Sequence, residues 1–273
     1  MNSKFVVHKP HRLVDFLQVT LPQSLSGKAL RKALQANGCK VNGRIERFAS
    51  TPLKKGDLVE FRLNIPLKPT SFDVLYENDD LQLMNKPAGW VCSPENCAKT
   101  FGSLRLVHRL DKDTTGVLAL AKTKEGYDLL LDAFAERKVK KEYLAIVDGE
   151  VKEEMGVIEN FLSKKKIFEG QVIWGPSPQG LHALTEWERV QVGNQCSLIL
   201  CRPITGRTHQ IRVHMAGMGH PIITDRQYAA SYRSSFTASR PLLHAHRLEI
   251  EFKGEHIRVE APVPSDMLYD FNR

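Results

Sequence analysis

The run His108-Arg109-Leu110-Asp111-Lys112-Asp113-Thr114-Thr115-Gly116, with the apolar stretch Val117-Leu118-Ala119-Leu120-Ala121 behind it, decides how this chain is read. A short continuous apolar run of this kind fits a strand buried on both faces. Asp111 therefore stands on a tight turn leading into a buried strand. Arg109 lies two residues before it, and Gly116 lets the backbone bend sharply. Loops held by strands are where reactive groups collect. Alone, the Asp has a plainer reading, because an Asp beside a Gly-containing turn commonly caps a backbone N–H and does nothing else.

Outward from this run, strand signals dominate from Ser71 onward: Asp73 to Tyr76, Leu81 to Asn85, Val117 to Ala121, Tyr143 to Val147, Ala183 to Val192, Ser197 to Cys201 and His246 to Phe252. Helices are expected over Lys124 to Glu136 and Thr208 to Met218. Long strands that do not alternate regularly with helices argue for an α+β fold with a mixed, mainly antiparallel sheet, not a doubly wound one. Residues 150–182 show no clear period, and Lys164-Lys165-Lys166 is expected in an exposed loop.

Before Ser71 the pattern changes. Residues 12–37 read as two short helices, with Leu13, Phe16 and Leu17 on one stripe and Leu30, Ala33 and Leu34 on the next. Ser26 suits an N-cap and Gly38 the position after the second helix. A turn on Asn42-Gly43 follows, then the strand-like Leu58-Val59-Glu60-Phe61. Residues 1–70 hold 13 Lys+Arg against 4 Asp+Glu, a balance of +9, whereas the rest of the chain holds 26 against 27. The whole basic excess of a chain with net charge +8 thus sits in its first quarter. A basic module on a near-neutral body suits a polyanion; a face kept soluble by charge is the plainer alternative.

The 273 residues suggest two domains, and their 42% hydrophobic and 26% charged content is that of a soluble globular protein. No apolar run approaches the ~20 residues of a membrane span, and Met1 to Pro10 has no signal-peptide core, so a cytoplasmic protein is expected. Five scattered cysteines argue against a disulfide framework. Cys92–Cys97 and Cys196–Cys201 repeat one spacing, but it is loose for zinc. The second pair also flanks a strand, which would point the two thiols to opposite faces.

Four further segments bear on Asp111. Asn85-Lys86-Pro87-Ala88-Gly89 ends a strand, and its Pro and Gly fix a turn. Lys141-Glu142-Tyr143-Leu144-Ala145-Ile146-Val147 places a Tyr in a strand, where packing is the usual reason for one. Thr205-Gly206-Arg207-Thr208-His209-Gln210-Ile211-Arg212-Val213-His214 runs into a helix and continues to Gly219-His220-Pro221. There Arg212 borders an apolar stripe of Ile211, Met215 and Met218, a place an Arg occupies only when paired. Leu243-His244-Ala245-His246-Arg247-Leu248 completes the series, with both histidines read as structural.

Together these segments, in this order over residues 72–252, resemble the RluA-type RNA pseudouridine synthases. The resemblance implies the pseudouridine synthase fold, with Asp111 as the catalytic residue. Tyr143 becomes the active-site tyrosine, stacking on a flipped base or assisting proton removal. Arg212 becomes the partner of Asp111, in a bidentate pair if its planar fork is used. Arg109 would enter the space the base leaves. The N-terminal segment is similar to a small αL-type RNA-binding module first recognised in a small-subunit ribosomal protein. In that module the second helix and the following turn contact RNA, which singles out Lys28, Arg31, Lys32, Lys40 and Arg44. The implied division is a module over 1–65, a linker over 66–71 bracketed by Pro66 and Pro69, and a catalytic domain over 72–273. Two departures stand out: the segment Trp90 to Val107 is shorter than is usual where the family has a helix, and Thr224 precedes Asp225 where Gly is usual.

The reaction implied breaks the bond from uracil nitrogen to ribose and rejoins the ring through carbon, with no redox change or phosphate transfer, so no metal and no other cofactor is expected. The expected partner is structured RNA, with ribosomal RNA ahead of transfer RNA; no membrane is involved, and a monomer is the default state. Three rival readings stand beside this one. A metal-dependent hydrolase could draw on His209, His214, His220, His244 and His246 with Asp111 and Asp225, but no His-Glu-x-x-His spacing is present. A glycosidase would need Asp111 and Asp113 to flank one bond, and two residues on one turn are poorly spaced for that. A non-catalytic RNA-binding or ribosome-assembly factor fits the basic module but leaves Asp111, Tyr143 and Arg212 unexplained.

Overall fold

The computed structural model describes residues 2–21, 25–35, 38–62, 72–168, 171–229, 232–234, 238, 240–268 and 271. The expected linker over 66–71 lies outside them. The chain divides into two compact units. One is Met1–Lys68 with Ile167–Gln171 and Phe236–Arg240; the other is Pro69–Lys166, Val172–Ser235 and Pro241–Arg273.

The first unit contains β1 (Asn2–Val6), β2 (His11–Arg12), α1 (Leu13–Thr20), α2 (Gly27–Gln35), β3 (Cys39–Val41), β4 (Arg44–Ile45), β5 (Pro52–Leu53) and β6 (Leu58–Arg62). The two short helices bury their apolar stripes together: Leu13, Phe16 and Leu17 join Leu30, Ala33, Leu34, Val59 and Phe61 in one core. Asn42 and Gly43 take φ of 51° and 78°, the left-handed pair a two-residue hairpin between β3 and β4 requires. β1 pairs with β6 but leaves no apolar alternation in the sequence, because its side chains from Ser3 to Val6 swing only between half-buried and exposed.

The second unit contains β7 (Asp73–Glu77), β8 (Leu81–Lys86), α3 (Pro94–Phe101), β9 (Arg105–Leu106), β10 (Thr115–Ala121), α4 (Lys124–Ala135), β11 (Lys140–Asp148), β12 (Met155–Phe168), β13 (Gln171–Pro176), β14 (Leu181–Gly193), β15 (Cys196–Pro203), α5 (Gln210–Gly217), β16 (Leu243–Phe252) and β17 (Glu255–Glu260). Among the described residues these strands form one eleven-stranded sheet in the order β13-β12-β14-β15-β11-β16-β10-β8-β7, with β17 on β16 and β9 on β10. Among the described registers the pairing is antiparallel except where β10 meets β16. The architecture is a mixed, mainly antiparallel α+β fold.

β10 is the axis of this unit, and all seven of its residues are buried. Val117, Ala119 and Ala121 face a core shared with Leu130 of α4, Leu248 and Ile250. Leu118 and Leu120 face the opposite core, with Met84, Trp90, Cys92 and Cys97 of the α3 side. Gly116 opens β10 at φ +110°, where a Cβ would lie 2.1 Å from the Ala245 carbonyl oxygen, so only glycine permits the β10–β16 pairing.

Two expectations need correction. Lys164-Lys165-Lys166 is not in a loop; it lies within β12, exposed, where three consecutive lysines hide the period-2 signal. The shortened segment after Gly89 still holds a helix, α3, with the Ser93 hydroxyl accepting from the Asn96 N–H and Pro94 in its first turn.

Candidate active site

The catalytic-loop candidate, residues 108–114, is held from several sides. His108 accepts the Ala119 N–H at Nε2 (2.8 Å) and stacks on Phe134, with ring centroids 4.6 Å apart. Burial, with Lys141 adding to it, pushes its pKa down to about 3, so it is a neutral anchor. Leu110 is buried, and its N–H meets the Cys92 sulfur at 3.4 Å. Between these anchors Arg109 is exposed, while the Asp111 side chain is about one-fifth exposed.

The turn itself is closed from beneath. Lys86, with no exposed surface, donates from Nζ to the carbonyls of Pro87 (2.9 Å), Lys112 (3.0 Å) and Thr114 (2.8 Å). The Gly89 N–H also reaches the Lys112 carbonyl at 2.8 Å. The Asn85–Gly89 segment thus shapes the loop through a buried ammonium as well as through its Pro and Gly. The sequence offered one cue, a lysine closing an otherwise half-apolar strand.

Arg212 projects from α5, where Gln210 through Met215 are all buried, a wider buried face than the expected stripe. The helix begins at Gln210, two residues later than expected, because His209 takes a left-handed conformation (φ 57°, ψ 18°). Gln210 sets the preceding loop, accepting from the Thr205 hydroxyl and the Arg207 N–H and donating to the Leu184 carbonyl.

Arg212 does meet Asp111, through one bond from Nη1 to Oδ2 of 3.2 Å. The bidentate partner is a different residue, however. Nε and Nη2 fork onto the two oxygens of Asp225 at 2.6 and 2.8 Å, and Nη2 also reaches Gln227 Oε1 at 2.7 Å. The guanidinium carbon lies 5.0 Å from the centre of the Tyr228 ring, in reach of a cation–π contact. Burial opposes the charge on Arg212, but the Asp225 carboxylate more than reverses this, and the group stays protonated. The sequence reading named Asp225 as a conceivable metal ligand and for the residue before it, and missed it as the partner of Arg212. Thr224 sits at φ +64°, the left-handed region that explains why glycine would suit this position.

Arg109, Asp111, Tyr143 and Arg212 line one cleft of about 580 Å³, counting solvent at its open side, together with Lys141, Arg207 and His209. Burial, and then the charge of Asp111, pushes the Tyr143 hydroxyl far above the usual phenol range. At neutral pH it offers an aromatic face and an O–H donor, not a phenolate. His209 Nε2 lies 3.9 Å from Asp111 Oδ2.

The N-terminal candidates lie in the first unit. Lys28 and Arg31 are exposed on α2, Lys40 is exposed on β3, and Arg44 is half-buried on β4. Lys32 belongs to α2, and its side chain lies outside the described residues. The other histidines of the hydrolase reading have protein partners: His214 with Thr185 and Asn160, His220 with the Asp148 carbonyl, and both His244 and His246 with the Ala261 carbonyl. Among the described residues no three His, Cys, Asp or Glu side chains converge as metal ligands. All five cysteines are buried free thiols.

The sequence profile of the family described as RNA pseudouridylate synthase matches residues 80–217. The chain is 28% identical to ribosomal large subunit pseudouridine synthase D of Zymomonas mobilis, over 92% of this chain and 95% of that one. It is 30% identical to the protein of the same name from Vibrio cholerae, over 89% and 85%. Among solved structures, human RNA pseudouridylate synthase domain containing 1 superposes with a TM-score of 0.60 at 28% identity, covering 72% of this chain and 86% of that one.

Proposed function

The chain belongs to the RluA-type family of RNA pseudouridine synthases, and from that premise we propose that it works through Asp111, with Tyr143 and Arg212 completing the site. The enzyme isomerises uridine to pseudouridine in RNA. The observation that supports the assignment is the Arg212–Asp111 hydrogen bond in the cleft that Tyr143 and the exposed Arg109 also line.

In the reaction the C1′–N1 bond breaks, the uracil turns, and a C1′–C5 bond forms. C5 loses a proton and N1 gains one, so nothing is oxidised or reduced. Attack at C1′ and removal of the ribose C2′ proton both call for an ionised carboxylate held against the sugar. Arg212 supplies the opposing charge and one fixed hydrogen bond. The Tyr143 ring gives the extracted base a stacking surface, and Arg109 fills the space it leaves, offsetting part of a cost of a few kcal/mol. No step requires a metal or another cofactor.

The substrate we propose is ribosomal RNA, in keeping with the names of the relatives. Transfer RNA is the alternative class. Lys28, Arg31, Lys32, Lys40 and Arg44 provide a second, sequence-independent RNA contact from a module over residues 1–65. The protein would act as a monomer in the cytoplasm. Among the described residues no helix is long and apolar enough to cross a membrane.

Pseudouridine mapping across cellular RNA, with and without the gene, identifies the target. Asp111→Asn is then expected to abolish modification at that site while RNA binding stays within a few-fold of wild type. Wild-type turnover by the purified variant would overturn the assignment.

A further inference from the structure

We propose that His209 is a further catalytic side chain of this cleft, a neutral donor whose Nε2–H meets the uracil carbonyl beside the bond that breaks. The inference rests on Asp111 being the catalytic carboxylate.

The tautomer follows from the hydrogen bonds. The Trp174 backbone N–H can only donate, and it reaches the Tyr228 hydroxyl oxygen at 3.2 Å. The Tyr228 oxygen lies 2.7 Å from His209 Nδ1. Burial pushes the phenol up to about 12, so it keeps its proton. Burial, helped by the neighbouring Arg212, pushes His209 down to about 4, so the ring is neutral. Among the described residues His209 Nδ1 is the one hydrogen-bond acceptor the Tyr228 O–H meets, so Tyr228 donates to Nδ1 and the single ring proton of His209 lies on Nε2. No protein hydrogen bond to Nε2 is formed among the described residues. Asp111 Oδ2, at 3.9 Å, is too far for one yet close enough for both groups to touch the same nucleotide. The left-handed backbone of His209, with no side-chain cap of its own, is a further sign that the ring is held here for a purpose other than starting α5.

The chemistry has a use for such a donor. When the C1′–N1 bond breaks, its electron pair goes to N1 and spreads onto O2 and O4. O2 is the carbonyl nearer the ribose, where Asp111 works. A neutral imidazole N–H can stabilise that oxygen without giving up its proton. Turning the ring about its N3–C6 line exchanges N1 with C5 and O2 with O4. One fixed donor therefore meets O2 before the turn and O4 after it, and the electron pair that forms the new bond comes from C5.

The test combines a side-chain change with a change of one substrate atom. Single-turnover rates are measured on a short RNA carrying the mapped target uridine and on the same RNA with 2-thiouridine there, since sulfur accepts hydrogen bonds poorly. His209→Phe should lower the rate on uridine roughly 10²-fold, as removal of an oxyanion-type donor does, with RNA affinity within about threefold. His209→Gln, which keeps an N–H donor, should recover part of the loss. 2-Thiouridine should slow the wild type and add little to the Phe defect. Multiplying effects of the two changes, or an undiminished rate for His209→Phe, would refute the role of His209. If the Phe variant does not fold, the same cycle is read on His209→Leu, which also lacks a donor. Turnover by Asp111→Asn would instead remove the reading of the site on which the proposal stands.

Discussion

Arg212 gives its two-toothed fork to Asp225 and a single N–H to Asp111, so the catalytic candidate is held by an arginine that is itself held by a second carboxylate. Asp225 is 1% exposed and the Arg212 side chain 9%, which makes this a buried pair whose partners cannot be removed singly without leaving an unmatched charge.

Asp225→Asn should therefore lower kcat strongly while leaving RNA affinity nearly unchanged, and should cost about 3–5 kcal/mol of stability. Arg212→Lys keeps the charge but cannot fork onto Asp225 while still reaching Asp111. It should reduce kcat less than Arg212→Met. Steady-state kinetics and denaturant unfolding check both effects; an affinity loss that accounts for the whole defect would mean that Arg212 binds phosphate.

Lys86→Met removes the ammonium that ties the carbonyls of Pro87, Lys112 and Thr114. The Lys112 carbonyl keeps the Gly89 N–H, whereas those of Pro87 and Thr114 lose this donor; each orphaned buried acceptor costs roughly 1–3 kcal/mol, so a loss of about 2–6 kcal/mol is expected, partly relieved by water or loop movement. Hydrogen exchange should show Asp111 to Thr115 becoming less protected than the flanking strand β10. Unchanged exchange there would show that the turn holds itself.

His214 gives a pH signature. Burial pushes it down to about 4, and its ring is occupied by Thr185 and Asn160. Its unfolded value is about 6.5. As pH falls below that value the unfolded chain takes up the proton first. The stabilisation is complete above about pH 6.5 and is lost as pH falls towards 4. His108 and His209, also pushed down by burial, act in the same direction. Thermal unfolding should drop between pH 6.5 and 4.5, and His214→Gln should flatten that drop. An equal pH dependence in both proteins would assign the loss to other groups.

Charge neutralisation at Lys28, Arg31, Lys40 and Arg44 should weaken RNA binding and reduce its dependence on salt. Each lost phosphate contact lowers the slope of log K against log salt by roughly 0.7–0.9. An unchanged slope would leave the basic excess as a solubility feature. Modification of saturating RNA should persist, because the cleft residues belong to the other unit.

What the sequence made legible was what local pattern encodes. The unbroken apolar run of β10 located the buried strand, and the Asn42-Gly43 pair located a hairpin. Arg212 beside apolar neighbours correctly demanded a partner. What pattern cannot encode is which of two carboxylates receives the fork, since Asp111 and Asp225 are brought together only by the fold. The long β12 stayed hidden because Lys164 to Lys166 and the exposed Met155, Val157 and Phe161 blur inside and outside. Lys86 looked like part of a turn because a buried lysine is rare enough that its three carbonyl partners, two of them more than twenty residues away, had to be seen.

With its turn fastened by Lys86 from below and by His108 and Leu110 at one end, the segment bearing Asp111 has little freedom to mould itself to a substrate. Deformation in the encounter must then fall on the nucleic acid. Uridines in bulges, loops or weakly stacked steps would be the least expensive to extract, so the mechanical softness of the RNA around a uridine would choose the target as much as its sequence does.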